Sequence, residues 1–315
     1  AGAILAVAVL PYLVRRIRST GRQVRIHSAP TQNPRDGDVE ELRVLIYNIA
    51  HGRGPIGGNW DWAAAEDRRR IEQIAQMIQR ESPDIVILNE ADFNSTWSGH
   101  QNQARAIAQQ AGYPYVLEQR NFDLRFIYGS WEFGNAVLSR FPIIDAQPIS
   151  YPSRSAAEHV FAGSKQGCIG TLQLSATQQL RVIPVHLEYR DEPTRIASAH
   201  AIVETAATSE VPTLAAGDFN SVITNARKSE SHSESATAIE ILRESEVFQF
   251  PPLDAEPSIT MGPTFPADQP QLEIDWILAP ADWRFREYRV LSDTLSDHRP
   301  VLAVVRLNAG PRETP

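Results

Sequence analysis

The chain has 315 residues, of which 42% are hydrophobic and 22% are charged, and its net charge is −8. This length allows one large domain with a sizeable core, and the composition is that of an ordinary globular protein. The acidic balance includes no broad basic stripe, which gives little support to tight nonspecific binding of nucleic acid. The single cysteine, Cys168, excludes a disulfide within this sequence and a thiolate-rich zinc site.

The beginning of the sequence is an apolar segment, residues 1–27, in which the first 14 residues are almost entirely apolar and Arg-Arg-Ile-Arg follows. Two interpretations stay open. The run can be the remnant of a membrane anchor or signal, although a full span needs about 20 residues. It can also be a helix packed on the domain, since cationic residues are favourable at the C-terminal end of a helix. The first predicts a membrane-associated or exported protein, and the second a cytoplasmic one.

Two polar segments mark the limits of one predicted domain. Residues 28–40 include two prolines and a glycine and predict a linker. The domain is predicted to occupy residues 41–308, and residues 309–315 are predicted to be a frayed tail.

A β-α-β unit opens the predicted domain. Residues 41–48 are apolar and β-branched and predict a buried strand. Apolar residues at helical spacing follow at Ile71, Ile74 and Ile78, and a second apolar strand is predicted over residues 84–89. Because a helix connects them, we expect the two strands to be parallel neighbours.

The rest of the chain predicts more strands than helices. Short connections suggest antiparallel pairing among strands at residues 124–128, 135–139, 143–149, 167–175 and 180–186. Helices are predicted at 193–208 and 236–244, and strands at 211–216, 274–278, 286–291 and 301–307. This mixture predicts an α/β fold with two faces of sheet to cover.

Polar side chains recur where the predicted strands end. They are Asn48, Glu90, His186, Asp218, Asn220, Asp275, Asp297 and His298. Each alone has an ordinary explanation as a turn residue, a solvated carboxylate or a core histidine. Together, at the strand ends of an α/β protein, they are typical of an active site. Asp275 interrupts an apolar strand, where a charge is costly unless it is paired.

The residue types in this set suit phosphate chemistry. Carboxylate and amide oxygens are hard ligands, which favour Mg²⁺ or Mn²⁺ over zinc. The histidines can supply protons or hydrogen bonds to a phosphate. Neither a G-x-S-x-G turn nor a P-loop is present in the sequence, which disfavours serine hydrolases and P-loop nucleoside triphosphatases.

The ordered motifs resemble those of the endonuclease/exonuclease/phosphatase superfamily, the DNase I-like fold. They are Y-N-I-A-H-G, V-I-L-N-E, G-N-A-V-L-S-R, V-H-L, L-A-A-G-D-F-N, E-I-D-W-I-L and S-D-H-R-P. The resemblance runs over about residues 42–307. It implies two packed mixed β-sheets flanked by helices, a four-layer α/β sandwich, and an enzyme that hydrolyses a phosphoester with a divalent metal.

The resemblance also implies which residues hold the metal. Glu90 would be the principal ligand, with Asn48 near it, and Asp297 would complete the site. The implied cofactor is Mg²⁺ or Mn²⁺.

The remaining motif residues would carry the reaction, an in-line attack of water on phosphorus. Asp218 would orient or deprotonate the water, and Asn220 would steady the water or the phosphate. His186 would hydrogen-bond a phosphoryl oxygen. Asp275 would pair with His298 and fix its tautomer, so that His298 contacts the scissile phosphate.

Substrate identity is less determined. Candidate substrate contacts are His51, Arg53, Tyr128 and Asn135. The sequence departs from the family at two positions, since Asn89 stands where Gln is common and Glu273 where a basic residue is frequent. Both departures bear on substrate contacts rather than on a catalytic group.

We expect a monomeric metal-dependent phosphodiesterase of nuclease or phospholipid type. The substrate would be a nucleic acid or a phospholipid head group, with membrane association through the N-terminus if the apolar segment is an anchor. Two alternatives stay open, namely a phosphomonoesterase of a lipid or sugar phosphate and an inactive binding or scaffold protein of the same fold.

Overall fold

The computed structural model describes residues 23–28, 37–56, 64–126, 129–151, 167–223, 236–252 and 259–307. The predicted apolar run before residue 23, most of the predicted linker, the predicted tail and the candidate substrate residue Tyr128 lie outside these ranges. Within them, no helix combines the length and the apolar character needed to cross a membrane.

The described ranges contain fourteen strands and four α-helices. The strands are β1 (Gln23–Ser28), β2 (Glu41–Asn48), β3 (Ile85–Asp92), β4 (Tyr115–Phe126), β5 (Gly129–Ser139), β6 (Ile143–Ile149), β7 (Gly167–Gln173), β8 (Gln179–His186), β9 (Thr213–Asp218), β10 (Phe248–Gln249), β11 (Ile259–Thr260), β12 (Asp275–Pro280), β13 (Arg284–Val290) and β14 (Val301–Arg306). The helices are α1 (Ala64–Glu81), α2 (Gln103–Ala111), α3 (Glu192–Ala207) and α4 (Ala238–Glu244), and a short 3-10 turn spans Ala50–Gly52.

The strands form two mixed sheets. The eight-stranded sheet has the order β1-β4-β5-β3-β2-β14-β13-β11, and the six-stranded sheet has the order β10-β12-β9-β8-β7-β6. Strands β2 and β3 are parallel, as the predicted β-α-β unit requires, and β8 and β9 form a second parallel pair connected by α3. The neighbours of these pairs run antiparallel to them.

Three buried clusters divide the molecule into four layers. Alternation along β2 shows the division, because Val44 and Ile46 pack between the sheets whereas Leu45 and Tyr47 pack against α1 and α2. The outer face of the second sheet packs against α3 and α4. Each buried Leu, Ile or Val contributes about 1.5–3 kcal/mol. The predicted fold class, two packed mixed sheets flanked by helices, is confirmed.

The first strand lies before residue 41, where the domain was predicted to begin. Residues Gln23–Ser28 form β1, which pairs antiparallel with β4 at the edge of the larger sheet. The pairing joins His27 of β1 to the buried Glu118 of β4, with 3.0 Å between His27 Nε2 and Glu118 Oε1. The sheet therefore extends further toward the N-terminus than the predicted boundary, because β4 offers an edge that this short stretch can cover.

Candidate active site

The topology brings the polar strand ends to one edge of both sheets. In the larger sheet, Asn48 and Asn89 are paired at the end of the parallel strands β2 and β3, and Glu90 follows directly. In the smaller sheet, Asp218 ends β9 and is flanked in register by His186 of β8 and by Asp275 of β12. Parallel strands direct their carboxyl ends to the same edge, so these side chains converge between the two sheets.

Asn48 lies at the centre of the convergence. Its Nδ2 donates to Asp218 Oδ2 at 3.2 Å and lies 3.5 Å from both Glu90 Oε1 and His298 Nε2. Its Oδ1 accepts a hydrogen bond from the Ala50 backbone N–H at 3.1 Å. The buried side chain of Asn48 thereby connects groups that come from both sheets.

A β-bulge aims Glu90 into the site. The register between β3 and β5 shifts between Leu88 and Ala91, so that Asn89 and Glu90 together face one residue, Asn135, on β5. Glu90 adopts a φ of 52°, a left-handed conformation that a non-glycine residue rarely takes. Bulges and strained backbone of this kind occur where a side chain must be redirected.

Cationic and imidazole groups surround the Glu90 carboxylate. Its Oε1 lies 3.8 Å from His186 Nε2, and its Oε2 lies 3.4 Å from His51 Nε2 and 3.8 Å from Arg53 Nη2. Burial raises the pKa of Glu90, but the three histidines around it, including His298, and Arg53 outweigh burial and lower this pKa to about 2. Glu90 is therefore ionised, and 29% of its side chain is exposed.

Asp275 and His298 form a buried pair. His298 Nδ1 lies 2.8 Å from Asp275 Oδ2, which also accepts a hydrogen bond from Thr264 Oγ1. Burial lowers the pKa of His298, but Asp275 and Asp218 outweigh burial and raise it to about 10. The ring packs against Phe265, with 4.8 Å between centroids. The pair therefore holds a charged imidazole whose Nε2 faces the site.

Asp218 is the buried carboxylate between the two histidines. Its Oδ2 lies 3.7 Å from His186 Nε2 and 3.8 Å from His298 Nε2. Burial raises the pKa of Asp218 to about 7, against the opposing effect of His298. Asn220, at a φ of 49°, donates its backbone N–H to Asp218 Oδ1 at 2.9 Å, and its side chain donates to Leu187 O. These hydrogen bonds fix the positions of Asp218 and Asn220 relative to each other.

Asp297 lies near Glu90 and His298, where its carboxylate could contribute to a metal site. Burial raises the pKa of Asp297, and the charge of Glu90 raises it further. The negative charge of Glu90 makes the ionised form of Asp297 more costly, and a divalent cation bound between them would offset this repulsion. Carboxylate oxygens are hard donors that suit such a cation.

A second group, Asp218, Asp275 and His298, also has ligand atoms within 4.8 Å of one another. Its members are buried, and Asp275 Oδ2 already accepts hydrogen bonds from His298 and Thr264. The oxygens around Glu90 are the other candidate for a metal, since Glu90 is ionised and 29% of its side chain is exposed.

The predicted substrate contacts have different positions. Asn135 is 1% exposed, and its amide is used by hydrogen bonds to Asn89 and Gln119, which places it beneath the site. His51 and Arg53 lie at Glu90, as described above, and are largely buried. Asn135 therefore holds other side chains in this structure and presents no exposed surface to a substrate.

Three residues have roles in the site that the sequence did not predict, and one of them, Asn89, was expected to bear on substrate contacts but is fully buried. Asn89 connects the sheets, Thr264 bonds to Asp275, and Asp92 bonds to His51. Asn89 and Asp92 carried a signal, because both are polar within the strand that also carries Glu90. Thr264 carried none, since a threonine eleven positions before Asp275 has no local pattern.

The arrangement supplies the groups that phosphoester hydrolysis needs. Asp218, whose carboxylate can accept a proton, lies between His186 and His298, whose imidazoles can donate hydrogen bonds to phosphoryl oxygens. On the other side of His186 lies the ionised and partly exposed carboxylate of Glu90, and the carboxylate of Asp297 is near it.

Comparison with known proteins agrees with a site for phosphoester hydrolysis. A sequence model described as the Endonuclease/Exonuclease/phosphatase family matches residues 45–298. A search of curated proteins found no match.

Three solved structures illustrate the similarity. An endonuclease/exonuclease/phosphatase from Beutenbergia cavernae is 21% identical, with a TM-score of 0.63, over 86% of this chain and 72% of that chain. The mannosyl-6-phosphatase Bt3783 of Bacteroides thetaiotaomicron is 17% identical, with a TM-score of 0.58, over 84% and 99%. The human Nocturnin catalytic domain is 17% identical, with a TM-score of 0.56, over 90% and 97%.

At these identities the structural similarity shows the fold, whereas the family match covers most of the chain. The chain therefore belongs to the Endonuclease/Exonuclease/phosphatase family, whose members are phosphoester hydrolases.

Proposed function

We propose that this protein is a divalent-metal-dependent phosphodiesterase that cleaves its substrate by in-line attack of an activated water. The observation that carries the proposal is the position of Asp218. Its carboxylate lies 3.7–3.8 Å from two imidazoles, and one of these lies 3.8 Å from the ionised Glu90. A base, two imidazoles that can donate hydrogen bonds and an ionised carboxylate thus surround one space.

The proposed metal is Mg²⁺ or Mn²⁺, held by Glu90 and Asp297 with Asn48 beside them. When bound, such an ion polarises a phosphoryl oxygen and neutralises charge that develops on it. The ionised state of Glu90 supports this proposal, because a carboxylate must lose its proton to act as a ligand.

The chain's own residues would carry out the proton transfers and the positioning. Asp218 accepts a proton from the attacking water, and Asn220 holds the turn that presents it. His186 and His298 donate hydrogen bonds to phosphoryl oxygens. Asp275 keeps His298 oriented through Nδ1, so that Nε2 faces the phosphate.

The substrate is proposed to be a nucleic acid or a phospholipid head group, and the enzyme is proposed to act as a monomer. Membrane association through the N-terminal apolar segment is a further part of this proposal. A phosphomonoesterase is the second candidate, because a protein of similar fold is a mannosyl-6-phosphatase. The inactive scaffold is the weakest candidate, because the site retains every motif residue.

Hydrolysis of bis-p-nitrophenyl phosphate with Mg²⁺ or Mn²⁺ tests the proposal. We expect turnover that EDTA abolishes and that falls by at least about 10³-fold in Asp218→Ala and in His298→Ala. His200→Ala is the matched control, because His200 is exposed on α3. Turnover that survives in both site variants would overturn the mechanism.

A substrate panel separates the alternatives. Plasmid DNA, abasic DNA, RNA, sphingomyelin, phosphoinositides and p-nitrophenyl phosphate would be incubated with the metal-loaded wild type. Preference for p-nitrophenyl phosphate over its diester would favour the phosphomonoesterase. A folded protein inert toward every substrate would favour the scaffold.

A further inference from the structure

We propose that His51 and Asp92 form a second histidine–carboxylate pair, which fixes the orientation of Glu90 and makes His51 a positioning residue for the metal ligand. The inference rests on the proposed metal site. It replaces the expectation that His51 contacts the substrate.

His51 lies between two carboxylates. Its Nδ1 is 2.7 Å from Asp92 Oδ1, and its Nε2 is 3.4 Å from Glu90 Oε2. Asp92 is fully buried, and only 9% of the His51 side chain is exposed, against 29% for Glu90. The imidazole is thus enclosed, and the carboxylate beyond it is the group that reaches the open space.

The two oxygens of Glu90 have different surroundings. Oε2 lies near His51 Nε2 and Arg53 Nη2. Oε1 lies near Asn48 Nδ2 and His186 Nε2, within the group that surrounds Asp218. His51 and Arg53 therefore hold one oxygen at the rear of the site, which presents the other oxygen toward its centre.

The surrounding side chains hold the pair itself in place. Trp97 Nε1 donates to Asp92 Oδ2 at 2.8 Å, so both carboxylate oxygens of Asp92 are engaged. Gln103 links the two backbones, because its Nε2 donates to His51 O at 2.6 Å and its Oε1 accepts from the Asp92 N–H at 2.9 Å. The His51 ring also packs edge-on against Trp97 and Phe133, with centroid distances of 5.9 and 5.1 Å.

The backbone at His51 is strained. His51 has a φ of 57° and Ala50 a φ of 44°, and both conformations are unfavourable for residues with a side chain. Such strain persists only where surrounding contacts over-determine it. A solvated loop residue without a further role would not need these contacts. They are a hydrogen bond to the buried Asp92, the two hydrogen bonds of Gln103, and packing against Trp97 and Phe133.

Calorimetric titration of Mn²⁺ into the purified full chain tests the inference. In His51→Asn, the shorter amide can still reach Asp92 but not Glu90, and we expect the Kd for Mn²⁺ to rise about 10- to 100-fold. In His51→Gln, the longer amide can replace Nε2, and we expect a smaller rise. His100→Gln is the matched control, since His100 is exposed, and its Kd should equal the wild-type value.

The KM for bis-p-nitrophenyl phosphate at saturating Mn²⁺ distinguishes the two roles of His51. A positioning role leaves KM nearly unchanged. An unchanged Kd with a raised KM in folded His51→Asn would overturn the inference and restore the substrate contact.

If His51→Asn does not fold, Trp97→Phe provides the second test, because it removes one donor to Asp92 while keeping an aromatic wall. A raised Kd for Mn²⁺ supports the inference, and a wild-type Kd overturns it. A wild type that binds no Mn²⁺ would overturn the proposed function and this inference together, whereas normal wild-type binding with unchanged variants overturns the inference alone.

Discussion

The side-chain oxygen of Asn89 accepts a hydrogen bond from the backbone N–H of Asp218, at a distance of 3.0 Å. Asn89 belongs to the larger sheet and Asp218 to the smaller one, so the bond ties the two sheets beneath the site. The amide of Asn89 also donates to Val185 O and to Asn135 Oδ1, both at 2.9 Å. Because Glu90 follows Asn89 on the same strand, this contact sets Glu90 and Asp218 relative to each other.

Replacing Asn89 with Leu tests this connection. Asn89→Leu removes the acceptor of the Asp218 N–H and the side-chain donor to Val185 O and Asn135 Oδ1, and each buried group left unsatisfied costs about 1–3 kcal/mol. We expect urea unfolding to show a loss of at least about 2 kcal/mol and a lower kcat for bis-p-nitrophenyl phosphate. Gln147→Leu, at an exposed amide, should change neither quantity. Wild-type stability in Asn89→Leu would contradict the connecting role.

The pH dependence of kcat/KM should report the Asp275–His298 pair. Asp275 raises the pKa of His298, so the imidazolium persists up to about pH 10, and activity should decline above that pH. Activity should rise through about pH 7, where Asp218 loses its proton. In Asp275→Asn the pKa of His298 falls, which moves the basic limb to lower pH.

The same profile recorded for Asp293→Asn provides the control, because Asp293 bonds to Arg80 at the surface. A basic limb that stays in place in Asp275→Asn would show that His298 does not set it.

Metal binding should stabilise the fold through Glu90 and Asp297. At a concentration of 100 times the Kd, a ligand adds about 2.7 kcal/mol, which for a domain of this size raises the Tm by about 5 °C. Glu90→Gln should abolish the increase in a thermal-shift assay with Mg²⁺ or Mn²⁺.

Asp297→Asn should also abolish the increase. Without metal it should be no less stable than the wild type, because burial and, to a smaller extent, the charge of Glu90 already raise the pKa of Asp297. A wild-type increase in either variant would remove that residue from the metal site.

Gly217 should not tolerate a side chain. Its φ is +140°, and an added Cβ would lie 2.1 Å from Val185 O and 2.9 Å from Asn89 Oδ1. We expect Gly217→Ala to lower the free energy of unfolding by about 3 kcal/mol or more, since overpacking and a glycine-only conformation act together. Gly112→Ala has a positive φ but nothing within 4 Å, so it should cost only about 1–2 kcal/mol. Equal losses in the two variants, measured by urea unfolding, would contradict the clash.

The predictability of the fold followed the strength of local patterns. Residues 41–48 and 84–89 predicted parallel strands because an amphipathic helix separates two apolar runs, and β2 and β3 have this arrangement. The strand β1 was missed because its six residues acquire their role only by covering the edge of β4. An edge is a property of the assembled sheet and leaves no mark on the covering sequence.

The α/β class, the family and the set of polar residues at the strand ends could all be predicted from the sequence, because apolar periodicity and ordered motifs are local properties. The group that each polar side chain faces became known only from the folded arrangement. It placed His51 against Glu90 and Asp92 rather than at an open surface, and it buried Asn135 beneath the site. Distances between residues far apart in the chain depend on how two sheets pack and on where a bulge turns a strand, and no short segment encodes them.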